Sequence, residues 1–330
     1  MASFRGPRIA VLGGAGYIGY AVTRQLLSEG HEVLAVDSLI HGPQDLEALR
    51  AYPGFSFIEG DLRDLTLMNK IARESEAIVL LAALVGEPAC ARDPDETVAV
   101  NYLAPLAILE SALYHGRVSR FLFASTDSCY GQRPGEKLDE EAPLRPLSLY
   151  ASLKASFEKE LLLRARGRFL SPTVLRLATV FGLSQRTRFD LAVNLLAREA
   201  TLREKAKIFS GEQWRPLVHA RDAALAFALA LDAPLKKVRG EIFNVGADAQ
   251  NVQFKALGEI IQKAVPRSRI EFVPGAPDLR DYFVSFQKIR EVLGFKPQVS
   301  IPEGIAEIRE ALLKGLIPDP YSPFLTNCHG

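Results

Sequence analysis

The chain has 330 residues, 48% of them hydrophobic, enough to bury a sizeable core in one large domain or two unequal ones. Lys and Arg number 40 against 39 Asp and Glu, so no broad electrostatic field exists to hold nucleic acid or an acidic membrane surface. The longest unbroken apolar run, Ala77 to Gly86, falls far short of the roughly 20 residues that cross a bilayer, and Cys90, Cys129 and Cys328 show no metal-ligand spacing.

A strand-like run begins within eight residues of the start, which leaves no room for a signal peptide, so a cytoplasmic location is expected. From there to about residue 180, short apolar runs alternate with longer amphipathic ones: RIAVLGG, AVTRQLLSEG, EVLAVDS, SFIEGD, LMNKIARE, AIVLLAAL, LAILESALYHG, RFLFAS. That alternation predicts βαβ units, hence an α/β fold with a doubly wound parallel sheet. The strands are apolar throughout, as in a sheet covered on both faces. Residues 1–180 are the expected dinucleotide-binding domain. After VLRLATVFG the pattern loosens, with a helix through LAVNLLAREA, a strand at EIFNVGA and a helix at GEIIQKA. Residues 181–330 are read as a smaller C-terminal α/β lobe, partly interleaved with the first domain. The tail IPDPYSPFLTNCHG is expected on the surface.

Between the first strand and the first helix lies GGAGYIG. Gly14, Gly16 and Gly19 satisfy GxGxxG, and Gly13, Gly16 and Gly19 satisfy GxxGxxG. Glycine serves here for a tight turn, for close approach of backbone to a pyrophosphate, and for helix-to-strand packing, with the helix N-terminus facing the phosphates. Gly13, Gly16, Tyr17, Ile18 and Gly19 are therefore expected to touch the cofactor. Asp37 ends the second strand 18 residues after Gly19, where an acid accepts hydrogen bonds from both adenosine ribose hydroxyls and repels a 2′-phosphate, which favours NAD over NADP. Asp61, in EGDLRD, is placed either to approach the adenine or to cap the following helix.

STDSCYG, residues 125–131, puts hydroxyls and an acid at the end of the RFLFAS strand. About 24 residues further on, PLSLYASLK places Tyr150 and Lys154 four apart, on one face of a helix. A tyrosine of ordinary pKa, about 10, is a poor base at neutral pH unless a neighbouring cation stabilises its phenolate. Lys154 can be that cation. Such a pair also arises by chance on any helix; the glycine loop and the hydroxyl cluster are separate signals that make chance a poor account.

In order along the chain, GGAGYIG, Asp37, GDLRD, LAALVG, Asn101, STDSCYG and YASLK resemble the extended short-chain dehydrogenase/reductase family, within it the nucleotide-sugar epimerase and dehydratase group. The resemblance continues through LRLATVFG, EQWRPLVHARDAALA, EIFNVG and DLRDYFVSFQKIREVLGFKP, and so covers nearly the whole chain. It implies a Rossmann-type domain with tightly bound NAD, a lobe that grips a nucleoside diphosphate sugar, and a homodimer built on the helix bearing Tyr150 and the one around LAPLAILESALYHG. Leu62, Leu81, Ala82 and Ala83 fall in motifs that line the cofactor. Tyr150 matches the catalytic base, Lys154 its partner on the nicotinamide ribose, and Thr126 the hydroxyl that bonds the reacting sugar oxygen. Ser125 belongs to the same substrate-side loop, with support of the backbone as its simpler role. Arg215, Asn194 and Arg280 match or approximate diphosphate contacts, each with a plainly structural alternative, and Asn101 resembles a structural asparagine.

The resemblance implies oxidation of a sugar at C4. An epimerase then returns the hydride to the other face, whereas a 4,6-dehydratase needs two more proton-transfer groups, an Asp and a Glu immediately after the threonine. Asp127 is present, but Ser128 holds the glutamate position, and a hydroxyl is a far weaker base than a carboxylate. Cys129 would serve only if its thiol were activated. Thr179 stands where many epimerases carry asparagine. The expectation is an epimerase, with a 4,6-dehydratase or a 4-dehydrogenase as alternatives. A reductase of an apolar ring ketone suits Arg215 poorly, and a catalytically silent NAD(H)-binding scaffold has no need of the Tyr150/Lys154 pair.

Overall fold

The computed structural model describes residues 8–42, 44–274 and 280–327. Cys328, and Asp278 and Leu279 of the DLRDY segment, lie outside them. In chain order the strands are β1 (Arg8–Leu12), β2 (Glu32–Asp37), β3 (Phe55–Glu59), β4 (Ala77–Leu80), β5 (Arg120–Thr126), β6 (Gln132–Leu138), β7 (Ser171–Leu177), β8 (Thr179–Phe181), β9 (Lys205–Phe209), β10 (Trp214–His219), β11 (Glu241–Val245), β12 (Asn251–Gln253), β13 (Arg269–Val273) and β14 (Asp281–Val284).

Seven of them form one parallel sheet in the order β11-β7-β5-β4-β1-β2-β3. Along β1, Ile9 and Val11 face one core and Ala10 and Leu12 the other, and all four are fully buried. This two-sided burial is why the sequence shows no polar alternation in these strands. On the first face lie the helices Tyr17–Ser28 and Ala220–Asp232; on the second lie Leu65–Glu74, Ala104–His115 and Leu149–Ala165. The strand order reverses at β1, between β2 and β4, and a crevice opens there beyond the strand ends, the usual ligand position in such sheets.

Residues past 180 return to this sheet twice, as edge strand β11 and as helix Ala220–Asp232, which packs on Tyr17–Ser28. The remaining strands pair in small sets: β12-β10-β8 and β13-β9 contribute to a third core with Phe181, Phe189, Leu196, Ile261, Ile301 and Ile305, while β14-β6 packs Leu138, Tyr282 and Val284 into the first core. One helical stretch, Pro94–His115, is long and apolar enough by composition to span a bilayer. In the fold it packs between Leu65–Glu74 and Leu149–Ala165, and it contains a π-helical turn at Ala99–Leu103.

A buried ion pair ties the sheet to helix Leu149–Ala165. Arg176 of β7 donates to Glu158 from Nη2 at 2.7 Å and from Nε at 3.1 and 3.2 Å, and both side chains are almost wholly enclosed. Arg176 Nη1 also donates to the Tyr130 hydroxyl at 3.0 Å and to Glu140 O at 3.2 Å. Burial works against the guanidinium cation, but Glu158 outweighs it and raises the arginine's pKa. Arg176→Met would strand the Glu158 carboxylate in the core at a cost of about 3–5 kcal/mol. The expected readout is a lower urea midpoint with unchanged m-value.

Candidate active site

The glycine loop leaves β1 at Leu12. Gly13 has φ +88°, and a β-carbon on it would lie 2.6 Å from Ala82 N. At Gly19 a β-carbon would fall 1.8 Å from Gly13 O, so helix Tyr17–Ser28 starts directly against the loop. Gly16 differs: a β-carbon there meets nothing closer than Gly13 O at 3.3 Å and Asp37 Oδ2 at 4.0 Å. Gly16 is also the helix N-cap, and no side chain caps the leading amides. An open concavity under an uncapped helix N-terminus suits a pyrophosphate.

Gly13, Gly16, Tyr17, Ile18, Gly19, Asp37, Asp61, Leu62, Leu81, Ala82, Ala83, Tyr150 and Lys154 line one cleft at the ends of the sheet strands. Asp37 accepts from Ala15 N at 3.1 Å and Leu39 N at 3.0 Å. Burial raises its pKa against the pull of these amides and of Arg186. Asp61 is not the helix cap; Asp64 is, accepting from Thr66 N and Leu67 N. Asp61 instead accepts from Arg63 at 2.7 and 2.9 Å, and Arg63 reaches on to Glu96, also at 2.7 Å. The LAALVG turn is held by Asn101 in the π-helical turn, which accepts from Leu84 N at 2.8 Å and donates to Leu84 O at 2.9 Å.

Helix Leu149–Ala165 begins at Ser148, whose hydroxyl accepts from Ala151 N. Tyr150 is half-buried at the cleft, and Lys154 one turn on is buried, its ammonium donating to Ala124 O at 2.9 Å and lying 5.8 Å from the Tyr150 ring centre. Burial pushes the Tyr150 phenol well above the usual tyrosine range, with Cys129 adding to the rise and Arg188 opposing it. Burial also pulls the Lys154 ammonium down to about 8. At neutral pH this pair is a phenol beside an ammonium, ready to accept a negative charge as the phenol ionises.

In STDSCYG, Thr126 Oγ1 accepts from Ser128 N at 3.1 Å, while its own proton has no acceptor among the described residues. Ser125 departs from the expected substrate contact. It borders the cleft, but its hydroxyl donates to Glu158, which commits it to the buried ion-pair network. The Cys129 thiol is fully buried, donates to Ala151 O at 3.4 Å and is pushed up to about 12 by burial, the opposite of activation. Asp127 is 2% exposed and accepts from the Tyr282 hydroxyl at 3.1 Å through Oδ1, while Oδ2 has no hydrogen-bond partner among the described residues. Burial raises its carboxyl to about 7 against the opposing influence of Tyr282, Arg215, Arg280 and the Ser128 amide.

Arg215 of β10 is buried with its guanidinium 5.3 Å from the Tyr282 ring centre, and Arg280 is half-buried in the stretch leading into β14. The two arginines, Asp127 and Tyr282 form a second cluster beside the cleft. Thr179 opens β8, paired with Leu217, and is not among the cleft-lining residues. Asn194 departs furthest from expectation. Neither exposed nor free for a diphosphate, it is fully buried, accepts from Gly182 N at 2.9 Å and donates to Arg188 O at 2.9 Å and Tyr17 Oη at 3.2 Å. The sequence reading passed over Tyr282, His41, Arg186, Arg188 and Asn327, the last four of which line the cleft. The pattern RTR, two cations one residue apart in the loop after β8, was the available signal for the two arginines.

A parallel sheet with a glycine-loop cleft and a helical Tyr/Lys pair beside it defines a dinucleotide-dependent enzyme. Residues 9–246 match the model of the NAD dependent epimerase/dehydratase family. A UDP-glucose 4-epimerase from Mycolicibacterium smegmatis is 31% identical over 309 residues, covering 92% of this chain and 97% of that one. Among solved structures, the UDP-glucose 4-epimerase of Thermotoga maritima with UDP-glucose has a TM-score of 0.83 at 29% identity, over 94% of this chain and 99% of that one. A dTDP-glucose 4,6-dehydratase from Streptomyces venezuelae, with NAD and TYD bound, has a TM-score of 0.82 at 27% identity, over 93% and 98%. The chain belongs to the NAD dependent epimerase/dehydratase family, and its cofactor is NAD.

The raised Asp127 carboxyl makes a prediction about stability. The folded state keeps this proton to higher pH than the unfolded chain does, so the associated stability is complete below about pH 4 and lost as pH rises through about 7. Asp127→Asn keeps the neutral shape at every pH. Its stability relative to the parent is expected to grow by about 2–3 kcal/mol between about pH 5 and pH 8 in urea unfolding. A gap independent of pH would contradict the raised pKa.

Proposed function

We propose that this chain is a cytoplasmic, NAD-dependent nucleotide-sugar epimerase that works by transient oxidation at C4. The observation that carries the choice is the chemistry of STDSC. Asp127 is buried against Tyr282, Ser128 replaces a carboxylate, and the Cys129 thiol is held at about 12. No second base stands in that loop to remove a C5 proton, whereas epimerisation needs none.

Tyr150 takes the proton of the sugar hydroxyl at C4, and Lys154 supports the phenolate that results. Thr126, whose hydroxyl proton has no acceptor among the described residues, donates to the same sugar oxygen and fixes its position. NAD would be held by the cleft that Gly13, Gly16, Asp37 and Lys154 line, and would supply a reversible acceptor for the hydride of C4, whose return to the other face of the ketone would invert that centre. Arg215 and Arg280 are the cations we assign to the substrate diphosphate; Asp127 beside them holds their cluster in place. A specific feature favours 4,6-dehydration as the second reading: a carboxyl held at about 7 can donate a proton at neutral pH, as expulsion of a C6 hydroxyl requires.

Incubation with UDP-, GDP-, dTDP- and CDP-sugars, followed by NMR and mass spectrometry, separates the outcomes. Epimerisation leaves the mass unchanged, dehydration removes one water, and arrest at the ketone removes two hydrogens. Tyr150→Phe is expected to lower turnover by about 10²–10⁴-fold with NAD still bound. No change in any sugar would sink the proposal.

The homodimer belongs to the same reading. Leu103 and Tyr114 of the helical stretch Pro94–His115 and Leu163 of Leu149–Ala165 are 55%, 86% and 60% exposed, on neighbouring helices that a second copy would cover. Tyr114→Glu with Leu163→Glu is expected to give a monomer in analytical ultracentrifugation; an unchanged sedimentation coefficient would count against this interface.

A further inference from the structure

The C-terminal segment is expected on the surface, and Tyr321, Pro323 and Phe324 are exposed, but Asn327 is buried and lines the dinucleotide cleft. Arg186, on the loop after β8, donates from Nε to Phe324 O at 2.9 Å and from Nη2 to Thr326 O at 3.3 Å and Asn327 Oδ1 at 2.5 Å. Asn327 passes the connection on, its Nδ2 donating to Val85 O at 2.9 Å. One carboxamide thus joins a loop of the C-terminal half to the strand-end turn after β4. Both Arg186 and Asn327 are buried and both line the dinucleotide cleft.

The segment is fastened along its length. Arg198 donates to Pro320 O at 3.0 Å and lies 4.3 Å from the Tyr321 ring centre, and Leu325 O accepts from Phe189 N at 2.7 Å. Phe324 packs on Gly42, where a β-carbon would come within 3.0 Å of its ring. Gly42 follows β2, and Val85 follows β4, so the segment touches the loops on either side of β1 and its glycine turn. At its Asn327 end it meets the cleft, where Val85, Arg186 and Asn327 are all lining residues.

We propose that Arg186 and Asn327 are cofactor-retaining residues: Arg186 holds Asn327 against Val85 at the wall of the dinucleotide cleft, and NAD passes in or out only when this bridge lets go. Arg186 acts through the segment as a positioning residue, and Asn327 is the latch. The inference requires NAD binding at this cleft and is independent of which sugar reaction follows.

The test follows NADH fluorescence during release into excess unlabelled NAD and during binding, in the parent, in Asn327→Ala, and in a chain ended at Tyr321. Far-UV circular dichroism checks the fold of each. With one bridging carboxamide lost, Asn327→Ala is expected to release NADH about tenfold faster. The shortened chain should be faster still, and both should bind it faster too. Unchanged release in a folded variant would overturn the proposal. So would faster release with no faster binding, since that marks a weakened contact rather than a barrier. If the shortened chain fails to fold, Asn327→Ala decides.

Discussion

Glu158 lies two helical turns beyond Tyr150 and one beyond Lys154, and its carboxylate meets the Arg176 guanidinium deep between that helix and the sheet. Around that contact the active side of the molecule is arranged. Ser125, the residue before Thr126, gives its hydroxyl to Glu158, so the end of β5 is fixed relative to the helix. Tyr130, at the other end of the hydroxyl cluster, accepts from Arg176 and donates to Asn244 of β11 at 2.8 Å. Asn244 N in turn donates to Glu140 at 2.8 Å. A buried pair of this kind is weak evidence for stability, because its desolvation is costly. Its value here is positional: Glu158 ties the helix of Tyr150 and Lys154 to β7 through Arg176 and to β5, which ends in Thr126, through Ser125.

Burial also sets the chemistry of the neighbouring groups. It lowers the Lys154 ammonium and raises the Asp127 carboxyl and Cys129 thiol, so each shift favours the neutral form. The consequence is selective. Lys154, at about 8, still keeps its charge at neutral pH, whereas Cys129, at about 12, never becomes a thiolate there. One low-dielectric site therefore separates a usable cation from an unusable nucleophile.

The sheet and the cofactor cleft were legible in the sequence because their signals are local: apolar runs of four to seven residues, glycines at fixed spacing, and an acid ending β2. The C-terminal half was less legible for a physical reason. Its strands β8 and β12 have three residues each, too few for a periodicity, and β14 pairs with β6 across more than a hundred residues of chain. Residue type alone did not reveal that Asn194 faces inward to Gly182 and Tyr17, because a carboxamide serves a ligand or a backbone turn equally well. Tyr282 escaped notice since only tertiary pairing brings it to Asp127. The RTR motif was visible but unread, because its use depends on a segment more than a hundred residues away.

The return of β11 to the edge of the main sheet has a consequence for the order of assembly. Strands β1 to β5 and β7 are complete in the first 177 residues, but the face that helix Ala220–Asp232 covers and the edge that β11 covers stay bare until the chain has passed residue 245. A nascent chain leaving the ribosome would carry an exposed parallel edge and an apolar sheet face while about 70 further residues are added, at roughly 5–20 residues per second. For several seconds the growing chain is open to wrong pairing along that bare edge.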